Sequence, residues 1–240
     1  MCRLALRSPK QAAKSSIKKS PTSTIALEDL LKRFSKKASH ALLFLKAVTV
    51  LEFEVRNDLG ETTWKTKLTK TFDDFEAKAR VTQLFEVIGS AKFDDLVDSA
   101  VEGPAIDATA VIHIKNESID NGIIPKVAVL FTEKWLIKSR LFVDKNFKTF
   151  LKNYAGLIDK KDANYVPFVQ IAARYSMRKH EQCTGGLFVG LPLPNYERFP
   201  VSISARFALS SDRRTIHMEN EVGKAWNELL LGSLLEIFVG

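Results

Sequence analysis

From Thr24 onward, apolar residues recur at helical spacing, first Ile25, Leu27, Leu30, Leu31 and Phe34, then Leu42, Leu43, Leu45 and Val48. Ser23 or Thr24 can cap that helix, because a hydroxyl accepts a bond from a first-turn N–H. The period drops to two across Val48–Val55, and Asn57-Asp58-Leu59-Gly60 supplies turn chemistry before a second run, Thr62–Thr71. The two runs predict a β-hairpin. Phe75, Ala79, Leu84, Phe85 and Ile88 suggest an amphipathic helix closed by Gly89. Ala108–Lys115 and Lys126–Thr132 form a further strand pair, the second running on toward Trp135. A helix through Phe147, Phe150, Leu151 and Tyr154 ends at Gly156. Strands are then expected near Val169–Tyr175, Gly186–Gly190 and Val201–Phe207, and a helix from Gly223 or Lys224 to Val239. Helices interleaved with strands predict an α/β (α+β) fold, with a mixed or antiparallel sheet packed against helices.

The segment before this core has a different character. Arg3–Arg7 alternates like a strand but is too short to stand alone, and Ser8–Ser23, broken by Pro9 and Pro21, reads as linker. Residues 1–50 hold eleven Lys and Arg against Glu28 and Asp29, a net charge of +9; the remaining 190 residues hold 25 basic and 26 acidic side chains, a net of −1. The excess charge is thus a basic N-terminal arm on a near-neutral body. Such an arm can hold phosphate backbones or an acidic protein surface, although most charge runs are solvated linkers. Nucleic acid is therefore not the favoured partner.

Composition closes several function classes. Cys2 and Cys183 show no paired spacing, and no apolar signal-like run follows the basic start, so an intracellular, cytoplasmic setting is expected, with the nucleus also open. The longest apolar stretch, Leu229–Val239, is interrupted by Gly232, Ser233 and Glu236 and falls short of the roughly 20 residues that span a bilayer, so no membrane is expected. Phosphate-loop, dinucleotide and nucleophile-elbow motifs do not occur. Asp120-Asn121-Gly122 lies between two strand-like runs and reads as a tight turn rather than a nucleotide contact. His40, His113, His180 and His217 lack ligand spacing, and His180 with Cys183 is two ligands at most. No nucleophile, base and orienting group come together by spacing, so neither catalytic residue, metal nor cofactor is expected.

Three motifs in fixed order remain. They are Gly186-Leu-Phe-Val-Gly-Leu-Pro192-Leu-Pro194, then Phe199-Pro-Val-Ser-Ile-Ser-Ala-Arg-Phe207-Ala-Leu209-Ser-Ser-Asp-Arg213-Arg214, then Gly223-Lys-Ala-Trp226-Asn227. They closely resemble the sacsin repeat family, in which a Leu-Pro-Leu-Pro turn, a proline-led strand, an arginine loop and a Trp-Asn helix start follow one another. Arg3-Leu-Ala-Leu-Arg7 and Ala41-Leu-Leu-Phe-Leu-Lys46 also look like the family's ATPase-closing strand and the helix end beyond it; Ala5 stands where proline is usual. The resemblance is loose between Gly60 and Asn164.

The resemblance implies a chaperone middle-segment-like domain over residues 24–240, preceded by a remnant closing strand and linker over 1–23. The family's nucleotide pocket would lie upstream of these residues, whether the chain is a fragment, a separately encoded piece or a degenerate paralogue. Expected partners are an ATP-binding domain, in cis or in trans, and client or co-chaperone proteins. In the similarly ordered ninety-kilodalton heat-shock chaperones, a middle-segment loop sends an arginine to the γ-phosphate, and Arg213 and Arg214 hold the corresponding place. A planar guanidinium suits that contact; the alternative is an ion pair with Asp212 or Glu219. Pro192 and Pro194 would mark a loop or sheet edge. The last helix is apolar around most of its circumference, so Leu230, Leu231, Leu234, Leu235 and Phe238 are candidate partner contacts. The alternative function is an interaction module that uses the arm without chaperone activity.

Overall fold

The structure, a computed structural model, describes residues 24–57, 59–90, 105–120, 126–158, 165–175 and 185–239. The expected strand and linker over 1–23, His180, Cys2, Cys183 and Asn121-Gly122 lie outside the described residues. The chain folds as α1 (Thr24–Phe44), β1 (Val50–Arg56), β2 (Thr62–Phe72), α2 (Phe75–Ser90), β3 (Ile106–Asp120), β4 (Lys126–Leu141) and α3 (Lys145–Tyr154). It continues through a 3-10 turn (Ala155–Leu157), β5 (Phe168–Arg174), β6 (Gly185–Val189), β7 (Leu191–Phe199), β8 (Ser202–Ala205) and α4 (Glu221–Val239). The eight strands among the described residues join one sheet in the order β1-β2-β3-β4-β5-β8-β6-β7. Among the described residues only β6 and β8 run parallel; the fold is α+β, as the sequence pattern predicts.

The β1–β2 hairpin closes through Asn57, whose Oδ1 accepts the N–H groups of Leu59 (3.0 Å) and Glu61 (2.9 Å). Gly60 takes the left-handed φ of 81° that this turn needs. Strand alternation then sorts side chains between two faces. On β5, Phe168 and Ala172 join one apolar cluster, while Val169 and Ile171 join another on the opposite side. The first cluster packs α1 and α2 against Leu68, Ile112, Ile114, Trp135 and Ile137; the second packs α3 and α4 against Leu187, Ala205 and Phe207. Toward β1 the second face is charged instead, with Lys65 paired to Glu52 (2.9 Å) and Lys115 to Glu117 (3.0 Å).

Three expectations need correction. Helix α1 ends at Phe44, so Leu45 and Val48 lie beyond it. On α2 the buried stripe is Ala77, Val81, Leu84 and Ile88; Phe75 is 81% exposed, Ala79 is exposed, and Gly89 lies within the helix. Asp74 starts that helix by accepting the N–H groups of Glu76 and Ala77, which turns Phe75 away from the sheet. Third, β3 and β4 are 15 and 16 residues long, well beyond the expected spans. Of the two settings expected for Pro192 and Pro194, a loop or a sheet edge, the structure shows the edge: both lie in β7, the outermost strand among the described residues, where a missing donor is tolerated.

Candidate functional site

After β8 the backbone leaves the sheet and makes a tight excursion closed by the bridge Leu209↔Ile216. Ser210 and Thr215 form its neck: the Ser210 N–H donates to the Thr215 carbonyl (2.9 Å) and the Thr215 N–H to the Ser210 hydroxyl (3.2 Å). At the tip, Asp212 Oδ1 accepts the Ser210 hydroxyl (2.7 Å) and the Arg214 N–H (3.0 Å). The Ser210 hydroxyl, then the Arg214 N–H, hold the Asp212 carboxyl below the usual carboxylate range, and the Arg214 charge adds to the effect. Arg213 donates its N–H to the Ser210 carbonyl (2.8 Å) and sits at φ 55°, a left-handed conformation uncommon for a residue with a Cβ.

Helix α4 fastens the base of this turn. Asn227, fully buried, accepts the Ala208 N–H at Oδ1 (2.8 Å) and donates through Nδ2 to the carbonyls of Ala208 (3.0 Å) and His217 (2.8 Å). Trp226, also fully buried, donates Nε1–H to the Arg206 carbonyl (2.8 Å) and packs among Phe147, Phe150 and Tyr165. The helix can come this close because residue 223 is glycine: a Cβ there would meet His217 Cδ2 at 3.0 Å and Ala208 Cβ at 3.6 Å. Asn220 caps the helix, accepting the N–H groups of Val222 (2.9 Å) and Gly223 (3.1 Å). The Phe207–Arg214 and Trp226-Asn227 motifs are thus one latched unit.

Beneath the turn lies a groove of about 900 Å³. Phe207, Leu209, Trp226 and Pro192 form its apolar side; Arg213, His217, Ser210 and Asn220 form its polar side. Arg213 lines the groove and Arg214 does not, although both are exposed. The ion-pair expectation also changes. Among the described residues, neither guanidinium is held in a salt bridge; Asp212 Oδ1 instead accepts bonds within the turn itself.

The remaining expected residues divide. Pro194 is exposed on β7 and does not line the groove. Leu230 and Leu234 are core residues, 0% and 4% exposed, and are withdrawn as partner contacts; Leu231 is half-buried. Leu235 and Phe238, 66% and 60% exposed, form with Val239 an apolar stripe on the outer side of α4. His217, Ser210, Asn220 and Tyr165 were not anticipated; of these, only Asn220, just ahead of Glu221, carried a readable cap signal.

Among the described residues, no three His, Cys, Asp or Glu side chains are grouped to hold a metal ion, and no helix is long and apolar enough to cross a membrane. No protein-family model, curated protein or solved structure matches this chain.

Proposed function

We propose that this protein is the non-catalytic middle segment of a sacsin-like chaperone, which couples to an ATP-binding domain through Arg213 and contacts client proteins through the outer stripe of α4. One observation carries this reading: a strained arginine, free of any carboxylate partner among the described residues, is presented over a groove by a turn latched to the buried Asn227 of α4. Strained backbone persists where the surroundings over-determine it, and it clusters at switch and ligand sites. A preorganised guanidinium loses little freedom on meeting phosphate oxygens, and binds them bidentately. Leu235, Phe238 and Val239 supply apolar area of the kind that clients bind.

The test is ATP turnover by a sacsin-type ATP-binding domain, alone and with the full chain added. Wild type should stimulate turnover; Arg213→Ala should abolish the stimulation, and Arg214→Ala should keep most of it, because only Arg213 lines the groove. Equal rates with all three chains would remove the coupling role. The interaction-module reading rests on the charge asymmetry of the first 50 residues; it expects arm-dependent binding to an acidic protein or nucleic acid that weakens steeply with salt, and no effect of either arginine on turnover.

A further inference from the structure

The groove under the arginine turn carries charge of one sign. Arg213 and His217 line it, and no Asp, Glu or Lys does so. The His217 N–H and carbonyl are engaged by Ala208 and Asn227, which fixes the residue, while its ring nitrogens hold no hydrogen bond among the described residues. The first turn of α4 adds to the field, because Val222 and Gly223 also line the groove and a helix N-terminus carries partial positive charge. Asn220 already takes the Val222 and Gly223 N–H groups, which leaves the exposed guanidinium of Arg213 as the group that meets a ligand.

The same groove has an apolar rim that solvent reaches. Leu157, in the 3-10 turn after α3, and Leu191, at the start of β7, are 69% and 64% exposed, and half-buried Pro192 and Leu209 line the groove with them. Phe207 and Trp226 are buried and only back this surface. Leucines this exposed, beside a guanidinium held in no salt bridge among the described residues, match a ligand that is apolar and anionic at once. At about 900 Å³ the groove lies near the upper end of the roughly 300–1,000 Å³ range of ligand pockets, room for several residues of an extended chain.

We propose that this groove docks the free C-terminus of another polypeptide whose last residues are apolar, with the terminal carboxylate on Arg213 and the side chains against the leucine rim. A chain terminus suits the site better than an internal Asp or Glu, because its carboxylate and an apolar side chain hang from the same carbon and meet both walls together. A guanidinium fork receives the two carboxylate oxygens in parallel, the mode by which terminal carboxylates are captured elsewhere in proteins being backbone N–H groups, which Asn220 has taken here. A free phosphate would leave Leu157 and Leu191 in water, and an uncharged apolar segment would leave Arg213 without a counter-charge. Docking is a property of this chain alone and does not rest on coupling to an ATP-binding domain.

The test is a titration of the full chain with acetyl-Gly-Ala-Leu-Phe bearing a free carboxylate, followed by amide chemical shifts. Controls are the same peptide as its C-terminal amide, acetyl-Gly-Ala-Ser-Gly with a free carboxylate, and acetyl-Leu-Asp-Phe-Ala-amide, whose only carboxylate is internal. The first peptide should bind about tenfold more tightly than each control and shift the amides of the arginine turn and of Leu191. Arg213→Gln should reduce its binding to that of the amide, and Arg214→Gln should leave it unchanged. Leu157→Ser and Leu191→Ser should each weaken it several-fold at an unchanged melting temperature, since both side chains are exposed. Equal binding of the amide, undiminished binding by Arg213→Gln, or no measurable binding of the first peptide would overturn the proposal. Equally tight binding of the internal-carboxylate peptide would overturn it too, by making the ligand an acidic side chain.

Discussion

Replacing Asn227 by alanine should unlatch the arginine turn at a cost set by what the amide leaves behind. Three backbone groups bond to it: the Ala208 N–H and the carbonyls of Ala208 and His217. The Ala208 carbonyl keeps a second partner, the His217 N–H at 2.7 Å, so two groups are orphaned. At about 1–3 kcal/mol for each unsatisfied buried group, less where water reaches the part-buried turn, the loss comes to roughly 2–5 kcal/mol. For a chain of this size each kcal/mol lowers the melting temperature by about 2–4 °C. Urea denaturation measures the loss, and tryptic cleavage after Arg213 and Arg214 should accelerate. Asn227→Asp sharpens the test. It keeps an acceptor for the Ala208 N–H but sets a carboxylate against two carbonyls, so it should be at least as damaging as alanine at neutral pH and recover as acid protonates it. A loss below about 0.5 kcal/mol for Asn227→Ala, with unchanged proteolysis, would refute the latch; that is the range of an ordinary surface substitution.

Other consequences follow from single sites. Arg213→Gly should raise stability by about 1 kcal/mol, since glycine adopts the φ of 55° without Cβ strain, while stimulation of the ATP-binding domain is lost; denaturation and turnover check the two halves. Lys70 is buried, donates to the Leu45 carbonyl at the end of α1, and burial pushes its ammonium down to about 8. Because the unfolded chain then binds more protons than the native one between about pH 8 and 10.5, stability should rise across that window by roughly 3 kcal/mol, and Lys70→Met should lose the slope in a pH series of urea melts. His40 behaves alike at lower pH. Burial, aided by the Arg174 charge, lowers its imidazole to about 4, so stability should fall as pH drops from about 6.5 toward 4, and His40→Phe should flatten that fall. Gly185→Ala should be among the most damaging small changes, above about 3 kcal/mol, because its Cβ would overlap the Val201 carbonyl; a soluble variant with wild-type melting would contradict the close approach.

The hairpins and α4 were legible because period and turn chemistry agree locally: Val50–Arg56 alternates, and Asn57 and Gly60 sit where the turn demands them. Strand β7 was not, since two prolines argue against a strand unless its place at the sheet edge is known, and strand order is a long-range property. On α2, Leu84, Phe85 and Ile88 pack as expected, but its start was misjudged by treating apolar identity as burial: Phe75 is exposed, while small Ala77 fits against the sheet. At the candidate site, the arginine and Trp-Asn motifs were readable as separate strings. That they are bonded to each other, across 10 and 19 residues, depends on the tertiary path. Which neighbouring arginine meets the groove was equally hidden, for it depends on the path of the turn, in which Arg213 is left-handed.

Strand β8 is only four residues long, yet it is inserted between β5 and β6, and sheet hydrogen bonding reaches the β6–β7 ribbon only across it. The place of the ribbon in the sheet therefore rests on residues 202–205, although Phe188 also packs against Phe44. Native-state hydrogen exchange should accordingly separate this C-terminal wedge from β1–β5 as its own opening unit, with β8 amides marking the seam.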